Sequence, residues 1–275
     1  NNVNNVNNVP DPLGDPIVEE VTGGITQCDR LLMDRAAGEP TAICIKSDKA
    51  YYYDRDQATW TRDMDVPGNK IGALVLDNSG TPHIAYTGMT AEFQPVFEFA
   101  RRDEMAWGTV LVDASAIITD YTLDMAVHSN GTVHMIYDDF NSGGLKYAVS
   151  DATSFITGEV EADVYVSFPR IALDSAGDVH MVYGTGGGIR YGVRSGGTWA
   201  FEDVPAATAG GYHLYLFIDG NDMPHIVAAT DYSGYGIYWL HQEGGAWVET
   251  QIHDFNYSLL DAQLDRHCKP HAVAG

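Results

Sequence analysis

The 275-residue sequence predicts an all-β fold, a six-bladed β-propeller of four-stranded blades, and three observations carry that expectation. A short motif recurs six times at spacings of 42, 51, 46, 45 and 46 residues. Apolar runs are short and bounded by Gly, Asn and Asp, with no long segment of helical period. Composition agrees: 29 Gly, 16 Tyr and only 19% charged residues favour strands and tight turns over helices.

The copies read, in order, MDRAAGEPTAIC (33–44), LDNSGTPHIAY (76–86), VHSNGTVHMIY (127–137), LDSAGDVHMVY (173–183), IDGNDMPHIVA (218–228) and LDRHCKPHAVA (264–274). Each begins with an apolar strand ending in Asp or its replacement, as in Ile171–Asp174, followed by a tight turn. A second strand then carries Pro or Val, His, and apolar residues. A third, aromatic strand follows at 51–53, 97–99, 145–147, 189–191 and 237–239. The fourth opens at Trp60, Trp107, Phe155, Trp199 or Trp247, after Gly-Gly turns at 196–197 and 244–245. Four strands in each period of about 45 residues are the signature of a propeller blade.

The ends complement each other. The last copy stops at Gly275 after two strands, while Pro16–Val21 (PIVEEV) matches the fourth strands Trp199–Val204 and Trp247–Ile252 in length and pattern. Pairing the N-terminal segment with the last blade closes the ring and removes two sheet edges, which otherwise invite association. The Asn-Val run at 2–9 reads equally as a further closing strand or as a leader. The chain is therefore expected to be one domain, 1–275, with 1–14 either leader or closing strand.

The pattern D-x-x-G-x-P-H-I-A-Y resembles a repeat common in secreted bacterial proteins of the sialidase-like propeller superfamily, over nearly the whole chain. The resemblance implies the fold and a secreted setting. It implies no single activity, because propellers host enzymes and binding modules alike. A sialidase-type site needs several Arg around one carboxylate, and only Arg30 and Arg170 are suitably placed; the S-x-D-x-G-x-T-W box is absent.

Charge and motifs exclude several classes. With 38 acidic against 15 basic residues, the net charge of −23 repels phosphate backbones and argues against nucleic acid. No apolar run reaches the roughly 18 residues that span a bilayer, and no signal peptide is visible. Phosphate-binding glycine loops, CxxC pairs and G-x-S-x-G elbows are missing, so no cofactor is expected. Calcium held by Asp138, Asp139 and Asp231 is the one cation reading, without a ligand-spacing motif behind it.

The aligned positions Thr41, His83, His134, His180, His225 and His271 occupy the same place in successive blades, so they cannot converge on one site. Each His is expected to satisfy a turn or a neighbouring blade, and each repeat Asp to cap its turn. Function is expected instead on one face, where the second-to-third-strand loops (87–95, 138–144, 230–236) and the crossovers between blades lie. The candidate ligand-binding set ringing that mouth is Arg30, Lys70, Asp124, Arg170, Tyr212, His213, Tyr215, Tyr257 and Asp261. Aromatic platforms beside planar polar groups suit sugars, and Arg suits carboxylates. The expected function is an extracellular or periplasmic binding propeller engaging a carbohydrate or protein partner. The alternatives are a polysaccharide-active enzyme on the same face, with His213 and Tyr215 moving protons and Arg170 binding a uronate, and a structural module of a larger assembly.

Three cysteines leave one unpaired. If Met33 faces Glu39 across the first turn, opposed residues sum to 72, and Cys28 and Cys44 also sum to 72. That register places them for a disulfide and, by the same rule, sets Phe168 opposite Tyr183 in the fourth repeat. Cys268 is expected free. A bridge would fit an oxidising compartment.

Overall fold

The computed structural model describes residues 27–33, 40–46, 49–56, 59–65, 70–89, 94–103, 106–118, 122–151, 153–205, 213–230, 236–254, 259–265 and 267–274. Five four-stranded antiparallel sheets follow one another along the chain. They are β1 (Gln27–Met33), β2 (Pro40–Lys46), β3 (Lys49–Asp56) and β4 (Thr59–Asp65); then β5 (Lys70–Leu76), β6 (Pro82–Met89), β7 (Pro95–Arg102) and β8 (Trp107–Asp113). Next come β9 (Leu123–Val127), β10 (Val133–Asp139), β11 (Gly144–Asp151) and β12 (Ser154–Ala162); then β13 (Ser167–Leu173), β14 (Val179–Thr185), β15 (Gly188–Ser195) and β16 (Thr198–Val204). The fifth holds β17 (His213–Ile218), β18 (Pro224–Thr230), β19 (Gly236–Glu243) and β20 (Ala246–His253), and a last hairpin pairs β21 (Leu259–Leu264) with β22 (Pro270–Ala274). There is no helix among the described residues. Each sheet is a meander, and the first strands β1, β5, β9, β13, β17 and β21 neighbour one another in succession. This is propeller-type architecture. The expected closing segments, 16–21 and 2–9, lie outside the described residues.

The repeat residues are joined to each other. Asp174 Oδ1 accepts the backbone N–H groups of Ala176 (2.9 Å) and Asp178 (2.8 Å), which fixes the turn, while Oδ2 faces His180 Nε2 at 3.4 Å. The same double use recurs at Asp77 with His83 (3.2 Å), Asp219 with His225 (3.4 Å) and Asp265 with His271 (3.4 Å). The turn position before the second strand is left-handed, occupied by Gly80, Gly131 and Gly177, or by Asp222 and Cys268 at φ 62° and 60°. In the third sheet His128 replaces the Asp, and its Nδ1 accepts only the Asn130 N–H.

The other ring nitrogen reaches the third strand. His134 Nδ1 meets the Tyr147 hydroxyl at 2.6 Å, His180 Nδ1 meets the Tyr191 hydroxyl, and His225 Nδ1 accepts from Trp239 Nε1 at 3.1 Å. Trp can only donate, so the His225 proton sits on Nε2 and points at Asp219. Burial, opposed by the pairing with Asp, keeps His83 and His225 below their ordinary pKa; His134, buried without that Asp, is pushed down to about 4. The second sheet breaks the chain: its third strand carries Phe99, and His83 Nδ1 is buried without a partner among the described residues.

Adjacent sheets lock through aromatic edges. Phe99 meets Phe155 at 5.4 Å, Tyr147 meets Trp199 at 5.4 Å, and Tyr191 meets Trp247 at 5.2 Å, each edge-on. Such pairs contribute roughly 0.5–1.5 kcal/mol beyond burial. Charged clamps add to this. Tyr137 donates to Asp113 (3.0 Å), which also meets Lys146 (3.2 Å); one sheet on, Tyr183 donates to Glu161, which meets Arg190 (2.9 Å). At the turns, Ser175 is held by Asp222 of the next sheet through its N–H (2.8 Å) and hydroxyl (2.6 Å).

Two expected registers need correction. In the first hairpin the sum is 73, not 72: Met33 pairs with Pro40 and Arg30 with Ile43. A bulge at Asp29 then shifts the register so that Cys28 does oppose Cys44. Phe168 does not face Tyr183. It falls with Pro169 in a bulge between the pairs Ser167–Gly184 and Arg170–Val182, with φ 46°. Cys268 is free, as expected.

His180→Ala is expected to lower stability by roughly 1–3 kcal/mol, since it orphans Asp174 and Tyr191. Phe99→Tyr is expected to raise it by about 0.5–1.5 kcal/mol, by giving His83 Nδ1 the donor its counterparts have. Urea denaturation checks both; a Phe99→Tyr protein no more stable than the parent would contradict the assignment.

Candidate functional site

Strand β10 is buried along its whole length, and its alternation divides its polar end between two neighbours. Tyr137 and Asp139 face the second sheet. Asp139 is saturated there: it accepts from Lys146 (2.7 Å), the Ile117 N–H (3.0 Å), the Asn141 N–H (3.0 Å) and the Ser142 hydroxyl (2.8 Å). Asp138, between them, points the other way, towards the 163–168 crossover that leads into β13. It lines a cleft of about 360 Å³.

Asp138 is only 7% exposed, and its carboxyl group takes no hydrogen bond from any described residue. Burial, reinforced by the charge of Asp139, pushes its pKa up to about 6. Thr122, Phe140, Tyr165, Ser167 and Phe168 line the walls. Two of these rings stand in solvent, Phe140 at 59% and Tyr165 at 67% exposure. Exposed rings around one buried polar group are the composition of a ligand pocket. Tyr165 and Val164 also line a second cavity of about 350 Å³, with Glu161, Thr185, Arg190 and Asp203. Arg190 there is bound by Glu161 (2.9 Å) and Asp203 (2.8 Å).

The expected mouth residues fare unevenly. Arg170 on β13 and Tyr215 on β17 come together, and His213 of β17 meets Phe168, in the bulge just before Arg170. The Arg170 guanidinium lies 5.6 Å from the Tyr215 ring centre, and His213 packs on Phe168 at 4.5 Å. Arg170 also donates to the Pro169 carbonyl at 2.9 Å. Asp124 Oδ2 accepts the Ile171 N–H at 2.9 Å and so ties β9 to β13. Asp261 accepts from the Ala262 N–H at 2.8 Å. Arg30 and Lys70 sit on β1 and β5, but their side chains, with Tyr212 and Tyr257, lie outside the described residues.

Of the calcium candidates, Asp138 lines the cleft described above. Asp139 is engaged as above, and Asp231 lies outside the described residues. One group of three metal-capable side chains occurs among the described residues: Asp219, His225 and Cys268, whose ligand atoms lie within 4.8 Å of one another. Its donor set does not fit. The Trp239 hydrogen bond puts the His225 proton on Nε2, the atom that would have to ligate.

Asp138 was absent from the expected binding set, although the repeats mark it. The aligned column reads Ile45, Thr87, Asp138, Gly184, Ala229 and Gly275, with one ionisable member. A charge that breaks an otherwise apolar or small column was the available signal.

No protein-family model matches the sequence, and no curated protein matches it. Solved structures do. A protein of unknown function from Dyadobacter fermentans is 13% identical, with a TM-score of 0.56 over 84% of each chain. The SapL1 lectin in complex with α-methyl fucoside is 12% identical, TM-score 0.54, over 78% of this chain and 76% of that one. A polysaccharide lyase of family PL25, an ulvan lyase bound to -[GlcA(1-4)Rha3S]-, is 13% identical, TM-score 0.54, over 82% and 73%. At these identities the likeness is one of fold.

The raised Asp138 pKa has a signed consequence. The folded state binds this proton more tightly than the unfolded chain, whose ordinary value is 3.8. Stability from this group is therefore full below about pH 4 and is lost as pH rises through about 6. Asp138→Asn is expected to match the parent near pH 4 and to exceed it by about 1–3 kcal/mol at pH 7. Unfolding curves across that range check it; a difference independent of pH would contradict the burial of a lone carboxyl.

Proposed function

We propose that this chain is a carbohydrate-binding propeller that engages its ligand in the cleft between the third and fourth sheets. The observation that carries the reading is the buried Asp138, without a side-chain partner among the described residues, lining a cleft with the exposed rings of Phe140 and Tyr165. Rings stack on the C–H faces of sugars, and a lone acid orients a hydroxyl or a more basic group. Binding is favoured over hydrolysis because glycosidases need two carboxyl groups, roughly 5–9.5 Å apart, and Asp138 is the one carboxyl lining this cleft among the described residues. The lectin and the lyase of like fold both hold saccharides, which supports a carbohydrate ligand on this scaffold. Arg170, His213 and Tyr215 form the second-choice surface, since Arg170 is already turned onto the Tyr215 ring.

The same reading makes the molecule a six-bladed ring, with 16–21 closing the last blade beside β22 and β21, and an exported protein with a Cys28–Cys44 bridge. The opposed register of the two cysteines supports the bridge. The last sheet holds two strands among the described residues where the others hold four, which supports the closure. No helix among the described residues is long and apolar enough to cross a membrane. Deleting 1–22 is expected to lower the melting temperature and promote association. Non-reducing peptide mapping is expected to recover Cys28 and Cys44 in one linked pair, and alkylatable thiols at both positions would contradict the bridge.

Glycan-array binding followed by calorimetry tests the function. Phe140→Ala and Tyr165→Ala are each expected to weaken the best saccharide by about three- to thirtyfold with unchanged melting temperature. Affinity unchanged in both, with loss in His213→Ala instead, would move the site to the inner strands.

A further inference from the structure

Resting on the reading of this cleft as a saccharide site, we propose that it recognises a positively charged amino group, and that its ligand is an oligomer of amino sugar, glucosamine-like and not acetylated.

Asp138 is more than nine-tenths buried, and no described residue donates to its carboxyl group. A buried carboxylate without donors is costly. A neutral hydroxyl repairs the hydrogen bond alone. An ammonium group repairs both charge and hydrogen bonding, and charge-assisted bonds are about twice as strong as neutral ones. The walls suit the same group: Phe140, Tyr165 and Phe168 line the cleft, and aromatic faces attract alkylammonium ions as well as packing on sugar carbons. No Lys, Arg or His lines this cleft among the described residues, so nothing on its walls competes for Asp138.

The surroundings choose the sign of the ligand. Arg190 in the adjoining cavity is matched by Glu161 and Asp203. Asp163 stands exposed on the crossover between the cavities. Together with a net charge of −23, these groups draw in cations and repel uronic or sulfated chains. The two cavities, about 360 and 350 Å³, meet at Val164 and Tyr165. A chain laid over the Tyr165 ring therefore reaches from one into the other, which calls for an oligomer over a single sugar.

The test is calorimetry near pH 7 with the full chain and three oligosaccharides of equal length: glucosamine, N-acetylglucosamine and a uronic acid. Glucosamine oligomers are expected to bind at least tenfold more tightly than the acetylated ones, and the uronic oligomer not at all. Asp138→Asn is expected to weaken glucosamine binding by about thirtyfold or more, and Phe140→Ala by about three- to thirtyfold. Acetylated oligomers binding as tightly as free amines would overturn the cation proposal and leave the saccharide site standing. No binding by any of the three would overturn both. Should Asp138→Asn fail to fold, Phe140→Ala and Tyr165→Ala decide, because both rings are exposed; unchanged affinity in the pair would also overturn the proposal.

Discussion

The double use of the repeat aspartate is the constraint on which this architecture depends. One oxygen fixes the turn between the first two strands, and the other faces the His Nε2 of the second strand. The His then reaches a Tyr or Trp of the third strand through Nδ1. A polar chain three residues long thus ties three strands of a blade together in a place sheltered from water. In such surroundings each hydrogen bond is strong when made and costly when missing. That is why a single apolar replacement, Phe99, leaves a visible orphan on His83. Tyr147 and Tyr191, which receive the His of the third and fourth sheets, also form the edge-on contacts with the next sheet, so in the fourth sheet the turn, the blade and the seam share one set of side chains.

This arrangement determines where function can lie. Residues that recur in every blade are used up in holding the blades, and symmetry keeps them apart. The repeat histidines look reactive in sequence and are spent in structure. Asp138 stands in the opposite condition. It occupies a column filled elsewhere by Ile, Thr, Gly or Ala, and no described residue donates to its carboxyl group. Burial pushes its pKa up, and perturbed acids in clefts are the residues from which functional sites are drawn, which is the ground for proposing a ligand site there.

Much of the fold was legible because it repeats. Strand order, the positions of the turns and the capping role of Asp follow from period and turn chemistry alone. The link from Asp to His was not, since a spacing of six residues across a tight turn carries no signature by itself. Registers failed where bulges intervene. Asp29 and the Phe168–Pro169 pair each displace the inner strand without disturbing the hydrophobic pattern. The site was half legible. The 138–144 loop was singled out by its place between strands, and of the inner-strand candidates Arg170 lies over the Tyr215 ring while His213 packs on Phe168. The meeting of Asp138 with Tyr165 and Phe168 depends on how the third sheet packs against the crossover into the fourth, which no single segment encodes.

Mapping the bound ligand residue by residue tests the division of labour between repeat and non-repeat positions most directly. In amide NMR spectra of the isotope-labelled protein titrated with a bound saccharide, shifts are predicted at Thr122, at 138–143 and at 164–168, with the repeat histidines His83, His134 and His180 unmoved. Shifts centred on those histidines, or on Arg170, His213 and Tyr215 with the Asp138 cleft silent, would contradict the account.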